Sequence, residues 1–556
     1  MTRYLLTPWQ NSPEAAQLPK QAWKKRIFLA LVLVFFFLGI FFRVYGVGAR
    51  ALWTDEAWVA LAATQPTPLA ALAAGKSTPP FYLLTVWAAA KWLGPNEGVL
   101  RLPSVLFGLG ALLLFWPLAG RLLPPWQALT ALALFSISHR LVYFSKELKQ
   151  YSADVFFIVL LFWLVERQLA RQGQGGWFTL TLLLAAGLGF SYPLVFALPV
   201  AFMVLWWELP EARRAVYLSG GAVALTFLGL YLTLLRGQID PELLIYWQAD
   251  FPDLSGVGAF CQWLGAAWLR FGRYFFPDWR VLPGAVLVVL GLLSAWQMGR
   301  RRLVWYFFGP LLLALAAAFV QRYPFMGRAG GVRLMMFAAP MIYLATAAGL
   351  GWLGQRLWSS AAGPETGAAE PTSAQGHLCR QDIQRLSLLG VFLLLVLFWL
   401  RPLFIWQENL WPTLNREEIV PLVRYLEEHR RPGDAIYLYY FSIDPFTFYY
   451  RGPWQEIIWG QSCHDCGLPV PASRLLQYQR LWLIFSHIET RAEAEQFISR
   501  LLGPGWTKEL LVEQPGAYLF RYRPPWAKGN EAPAAVTPPT PRESPPGVAG
   551  SGMAYE

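Results

Sequence analysis

A chain of 556 residues that is 56% hydrophobic and 14% charged, with 28 tryptophans, carries more apolar surface than one water-soluble core can hide, which excludes an ordinary soluble enzyme. The formal charge of +12 arises from basic residues scattered over short segments between apolar runs, a pattern that points to membrane orientation and away from nucleic acid. The chain reads as an α-helical polytopic membrane protein with a small C-terminal α/β domain.

Residues 1–26 form a cytoplasmic N-terminus, with Lys20, Lys24, Lys25 and Arg26 ahead of the first apolar stretch. That stretch, 27–45, is long enough to cross about 30 Å of hydrocarbon and is followed by no small-residue cleavage site, so it reads as an uncleaved signal anchor. Further spans are expected near 100–119, 126–144, 153–170, 176–190, 192–208, 215–235, 281–298, 303–320, 334–356 and 387–406, about eleven in all. The loops that this count makes cytoplasmic hold Arg121, Arg167 with Arg171, Arg213 with Arg214, Arg300 to Arg302, and Arg380 with Arg385, as the positive-inside bias requires.

The apolar run 80–93, set between Pro79-Pro80 and Gly94-Pro95, is short for a span and normal for an interfacial or re-entrant helix. Counting it as a span would turn the basic loops outward. Residues 46–99 are therefore expected outside as one large loop, within a membrane module of 27–406. The same count places Ser145 to Ser152, residues 236–280 and 321–333, and everything after about 407 on the outer face. The Gly-, Ala-, Ser- and Pro-rich stretch 357–386 is the largest cytoplasmic loop and is expected to be flexible.

Between 407 and 525 the composition becomes that of a soluble domain. Residues 416–430 pattern as an amphipathic helix, 434–440 and 481–486 as strands, 492–502 as a helix and 510–523 as a closing hairpin. No Gly-rich phosphate loop accompanies them, so no nucleotide site is read there. Residues 526–556 have the composition of a disordered tail. Cys463-His464-Asp465-Cys466 is a single C-x-x-C, open to a local disulfide in an oxidising compartment or to metal or redox chemistry.

Three groups of residues could carry chemistry at the outer face. Asp55-Glu56, in Leu52-Trp53-Thr54-Asp55-Glu56-Ala57-Trp58, is either an acidic helix start, with Thr54 or Asp55 as its cap, or an acid placed to act at the bilayer surface. The polar island from Tyr143 to Asp154 holds Lys146, Glu147, Lys149 and Tyr151, which are costly to desolvate unless they pair or bind something; a solvated loop is the alternative. If helical, it sets Lys146 with Gln150, and Glu147 with Tyr151, on shared faces. Arg328 and Arg333 suit an anionic lipid head through their forked donors, or serve as snorkelling anchors, and Lys76 adds another cation. An acid together with several cations on one side of such a chain describes a site that deprotonates a nucleophile while stabilising a leaving phosphate, and a lipid-linked phosphosugar supplies that group.

The ordered segments Trp53-Thr54-Asp55-Glu56-Ala57, Pro79-Pro80-Phe81-Tyr82, Arg101-Leu102-Pro103-Ser104-Val105-Leu106-Phe107-Gly108, Glu147-Leu148-Lys149-Gln150-Tyr151 and Arg333 through Pro340 resemble the GT-C glycosyltransferases of the protein O-mannosyltransferase and aminoarabinose-transferase type. The resemblance covers roughly residues 27–350. It implies a GT-C fold and an inverting transfer from a polyprenyl-phosphate sugar donor to a lipid, glycan or protein acceptor outside a bacterial inner membrane. Asp55 would be the catalytic base, with Glu56 orienting the acceptor or tuning Asp55 through like-charge coupling. Lys146, Lys149 and Arg333 would hold the phosphate, and Glu147 a sugar hydroxyl or a cation. Relatives carry His, Asp or Lys directly before the Pro-Pro pair where this chain has Thr78, so a phosphate role for Lys76 does not carry over directly. No cofactor is assigned; without an Asp-x-Asp motif beside Asp55, a divalent metal has no clear site. A lipid-linked-sugar transporter or a non-catalytic scaffold is the rival reading, the former predicting charges within spans and matched halves.

Overall fold

The computed structural model describes residues 22–238, 245–276, 278–328, 331–362, 417–460 and 475–527. The expected span 387–406, the cysteines Cys379, Cys463 and Cys466, and nearly all of the 526–556 tail lie outside the described residues. The chain divides into two compact units. One comprises Met1–Tyr45, Lys76–Tyr82 and Leu102–Leu410; the other comprises Gly46–Gly75, Leu83–Arg101 and Trp411–Glu556.

The first unit is helical. Among the described residues, five helices are long and apolar enough to cross a membrane: Ala22–Val44, Glu97–Leu122, Pro210–Thr233, Arg301–Phe319 and Gly331–Arg356. Shorter apolar helices cover Trp177–Gly187, Leu194–Glu208 and Val281–Gln297. Tyr151–Ala170 is as long as a span but carries Asp154, Glu166 and Arg167. The first helix, α1 (Ala22–Val44), shows why such segments settle where they do. Phe28, Val32, Phe36, Gly39 and Arg43 recur every three or four residues as a buried stripe, while Ile27, Val34, Phe37 and Phe41 on other faces stay exposed. Apolar residues inside and outside alike are the mark of a helix whose solvent is lipid.

The expected span 126–144 is broken. Pro125–Ile137 and His139–Ser145 meet at a 51° bend. Ser138 leaves helical geometry there, and its hydroxyl accepts from Leu141 N–H at 3.3 Å and bonds Tyr343 Oη at 2.6 Å, so it caps the second piece. Val281–Gln297 packs closely against Ala339–Ala362 through glycines on both partners. A Cβ at Gly291 would lie 1.8 Å from the Ala345 carbonyl oxygen, and one at Gly349 would lie 2.0 Å from that of Leu287. Gly291→Ala is therefore expected to destabilise the full chain by about 1–3 kcal/mol. An unchanged melting temperature in detergent would show that these backbones have room to part.

In the second unit a five-stranded sheet runs in the order β2-β1-β3-β5-β4, built from β1 (Asp434–Leu438), β2 (Ile457–Trp459), β3 (Arg480–Ser486), β4 (Thr507–Gln514) and β5 (Ala517–Arg523). β1 is parallel to β2 and β3, while β5 is antiparallel to β3 and β4, the last pair being the expected closing hairpin. Period-two alternation sends Ile436, Leu438, Trp482, Ile484 and Leu519 to one core with helix Ile419–His429. Ala435, Tyr437, Leu483, Phe485 and Phe520 go to a second core with helix Arg491–Leu502. Both sheet faces are covered, which explains the continuous hydrophobic runs of β1 and β3. The edge strand β2 and helix Ile443–Tyr449 are not among the elements expected from the pattern. Short, aromatic-rich segments of this kind carry no periodicity long enough to read.

The run Pro80–Leu93 forms a helix of 14 residues, the length expected for an interfacial segment. Tyr82, Leu83, Val86 and Ala90 are its buried side, whereas Trp92 and Leu93 are exposed.

Candidate active site

The acidic pair belongs to the second unit. Helix Thr54–Ala63 starts with Asp55 and Glu56 in its first turn, where the helix dipole favours negative charge. Its cap residue is Trp53, which supplies no side-chain cap, so neither Thr54 nor Asp55 is the cap considered from the sequence. The two carboxylates are in different environments. Glu56 is fully buried and Asp55 half-buried.

Arg101, itself fully buried, grips Glu56 with a fork: Nε to Oε1 at 2.8 Å and Nη2 to Oε2 at 2.6 Å. Arg50 adds a contact to Oε1 at 3.3 Å. The remaining Arg101 donors go to the carbonyls of Val47, Arg50 and Ala51, each at 3.0 Å, so one guanidinium ties the whole approach to the acidic pair. In the sequence Arg101 stands only as the first residue of the motif Arg101-Leu102-Pro103-Ser104. The signal that would have singled it out is an arginine in the first turns of an apolar helix, where a carboxylate partner is the normal way to hold the charge.

The approach is tied a second time. Leu52 N–H donates to Tyr449 Oη at 2.8 Å, and that hydroxyl donates to Glu97 Oε1 at 3.2 Å. Burial, with the Glu97 carboxylate adding to it, holds the Tyr449 phenol far above its ordinary pKa, so it remains a neutral bridge. Thr54 N–H donates to Glu417 Oε2 at 3.1 Å and the Thr54 hydroxyl to the Phe441 carbonyl at 2.7 Å.

The other candidates belong to the first unit. Residues 146–150 form a turn between His139–Ser145 and Tyr151–Ala170, so the shared helical faces expected for Lys146 with Gln150 and for Glu147 with Tyr151 do not arise. Lys146, Glu147, Lys149 and Tyr151 are all buried, which removes the solvated-loop alternative. Lys146 Nζ donates to the Tyr45 carbonyl at 3.3 Å. Tyr143 Oη donates to Glu147 Oε1 at 3.4 Å. The Lys149 carbonyl accepts from Ser104 Oγ at 3.1 Å, and Ser104 Oγ bonds Tyr82 Oη at 2.7 Å, which links the turn to both proline-containing motifs.

Arg333, on the 3-10 helix Gly331–Ala338, lies with its guanidinium 5.9 Å from the Tyr151 ring centroid. Arg140, Glu147, Arg333 and Tyr143 all act electrostatically on Tyr274, whose buried phenol is held well above its ordinary range chiefly by desolvation. Tyr274 and Arg140, 4.3 Å from ring centroid to guanidinium, are members of this polar cluster that the sequence did not single out. The two are far apart in sequence, and only the folded chain brings them to Glu147 and Arg333.

Arg328 and Lys76 are placed otherwise. Arg328 is exposed and turned to Asp250, its N–H donating to Oδ1 at 2.7 Å and its Nη2 to the Ala249 carbonyl at 2.9 Å. Lys76 is exposed, and its carbonyl accepts from the Thr78 hydroxyl at 3.0 Å. Among the described residues no group of three or more His, Cys, Asp or Glu side chains is placed to hold a metal ion.

Residues 77–232 match the dolichyl-phosphate-mannose-protein mannosyltransferase family. The matched segment contains Arg101 and the Lys146–Tyr151 turn; it begins beyond Asp55 and ends before Arg328. Comparison with curated proteins gives no match. Among solved structures, apo ArnT from Cupriavidus metallidurans is similar at 12% identity and a TM-score of 0.45, over 91% of this chain and 99% of that chain. ArnT from the same organism bound to undecaprenyl phosphate gives 13% and 0.44, over 89% and 97%. The archaeal oligosaccharyltransferase AglB from Archaeoglobus fulgidus, in complex with an inhibitory peptide and a dolichol-phosphate, gives 12% and 0.46, over 90% and 74%. These structural likenesses are distant. Over residues 77–232 the chain is similar to the dolichyl-phosphate-mannose-protein mannosyltransferases, the type of protein that its motifs resemble.

Proposed function

We propose that the protein is an integral-membrane inverting glycosyltransferase of GT-C type that moves a sugar from a polyprenyl-phosphate donor to an extracytoplasmic lipid, glycan or protein acceptor. Asp55 takes the proton from an acceptor hydroxyl as its oxygen bonds the anomeric carbon. The bond from that carbon to the phosphate oxygen breaks, and the polyprenyl phosphate leaves with the electron pair. Lys146, Lys149 and Arg333 neutralise the phosphate, Arg328 and Lys76 are outer cations for the approaching head group, Glu147 holds a sugar hydroxyl or a cation partner, and Tyr151 contacts the substrate. Glu56 acts as a positioning residue, because its carboxylate is committed to Arg101. The N-terminus is cytoplasmic, and Asp55 and the α/β domain are outside, in a bacterial inner membrane.

The observation that carries this reading is the division of labour within the acidic pair. One carboxylate is locked by a buried arginine fork while its neighbour in sequence stays half-buried on the same helix turn, which is how a fixed anchor presents a reactive acid. The test is incubation of the purified full chain in lipid with radiolabelled polyprenyl-phosphate sugars and a membrane extract. Label is expected to pass to an acceptor fraction. Movement of the lipid-linked sugar across liposomes with no transfer would replace this reading with the transporter.

A further inference from the structure

We infer that Glu417 of the α/β domain is a positioning residue for Asp55, capping from 363 residues away the helix that carries the acid. This rests on the glycosyltransferase reading for its catalytic consequence and on geometry alone for its structural one. A helix leaves its first N–H groups without intrahelical partners, and the cap residue here, Trp53, provides no side-chain acceptor. Glu417 Oε2 accepts the Thr54 N–H at 3.1 Å and lies at the same distance from the Thr54 hydroxyl, at the residue directly before Asp55. The carboxylate is almost fully buried, and its other oxygen is held by His487 Nδ1 at 2.6 Å.

Both partners are themselves fixed. Glu418 N–H donates to the Pro515 carbonyl at 3.0 Å, which seats the chain at Glu417 against the β4–β5 turn. His487 follows directly on β3 in a left-handed conformation, φ 57°, and its ring stacks on Trp53 at 5.8 Å and 21° and faces Phe441 at 4.9 Å. Strand end, imidazole, carboxylate and helix N-terminus thus form one chain of contacts ending beside the acid. An exposed cap would be worth little more than the helix it starts; this one is buried, charged and supplied by another part of the fold, so it sets the direction in which the first turn points.

The consequence is that the α/β domain is part of the machinery that orients the base. The test compares the full-length protein with Glu417→Ala, Glu417→Gln and His487→Gln, by hydrogen exchange and by initial transfer rates. Exchange of the amides of 54–60 is expected to rise about tenfold in Glu417→Ala, with the sheet amides of 434–438 and 480–486 unchanged. Glu417→Gln, which retains an acceptor for the Thr54 N–H, restores most of the protection, and His487→Gln falls between. In transfer, Glu417→Ala lowers kcat about tenfold and leaves the donor KM within about twofold, and Glu417→Gln recovers most of it. Unchanged exchange at 54–60 overturns the inference, as does a rise that extends equally through the sheet. Raised local exchange in a protein whose native form transfers no sugar would keep the cap and reject the glycosyltransferase reading.

Discussion

Asp55→Asn is expected to lower the rate of sugar transfer by about 10²- to 10⁴-fold while donor binding stays within about twofold, the range that loss of a positioned general base produces. Asparagine keeps the size and polarity of the side chain but accepts no proton at working pH. The surroundings make this a clean test. The segment before Asp55 is held through Leu52 and Thr54 backbone donors, and the residue after it through the Arg101 fork, none of which involves the Asp55 side chain. Those contacts are therefore expected to persist when the Asp55 carboxylate is replaced by an amide. Asp55→Glu is expected to retain only a small part of the activity, since one added methylene displaces the carboxylate from a position the frame fixes closely. Initial rates at saturating donor, together with a donor titration, separate these outcomes. Equal transfer by native and Asp55→Asn protein would remove Asp55 from the mechanism.

Arg101→Ala is expected to destabilise the protein by about 3–5 kcal/mol, the usual cost of leaving one buried charge without its partner. Glu56 has no route to water, and Arg50 at 3.3 Å replaces only part of the two shorter contacts that Arg101 makes. The carbonyls of Val47, Arg50 and Ala51 lose a donor at the same time. Arg101→Lys should recover little, because an ammonium group cannot span both carboxylate oxygens and three carbonyls at once. Removing both charges, as Glu56→Gln with Arg101→Met, is expected to cost less than Arg101→Ala. Thermal unfolding of the full chain in detergent reads all three. If the double variant were as damaged as Arg101→Ala, the carbonyl contacts rather than the ion pair would account for the arginine's role.

The two predictions separate what sequence neighbours conceal. Asp55 and Glu56 are adjacent and chemically alike, and the sequence alone leaves Glu56 either to orient the acceptor or to tune Asp55. The fold gives Glu56 a buried arginine partner 45 residues away and leaves Asp55 half-buried. Substitution at Glu56 should therefore register first in stability, and at Asp55 first in rate.

Features that depend on neighbours a few residues apart are legible in the amino-acid sequence. Runs of apolar residues become helices because each backbone group must find its partner within the segment when no water is at hand. The three- and four-residue stripe of Phe28, Val32, Phe36 and Gly39 likewise assigns a helix face locally, whereas the continuous hydrophobic run of β3, buried on both faces, marks a strand without assigning its faces. The helix Pro80–Leu93 and the β4–β5 hairpin were legible on the same grounds. Tertiary structure alone decided the contacts made at long separation: Glu56 with Arg101, Thr54 with Glu417, Ser138 with Tyr343, and Tyr274 among Arg140, Glu147 and Arg333. The physical reason is that burying a charge or a hydroxyl requires a partner but does not specify which one. Many arginines and carboxylates satisfy that requirement in the sequence, and only the packing of the whole chain selects among them.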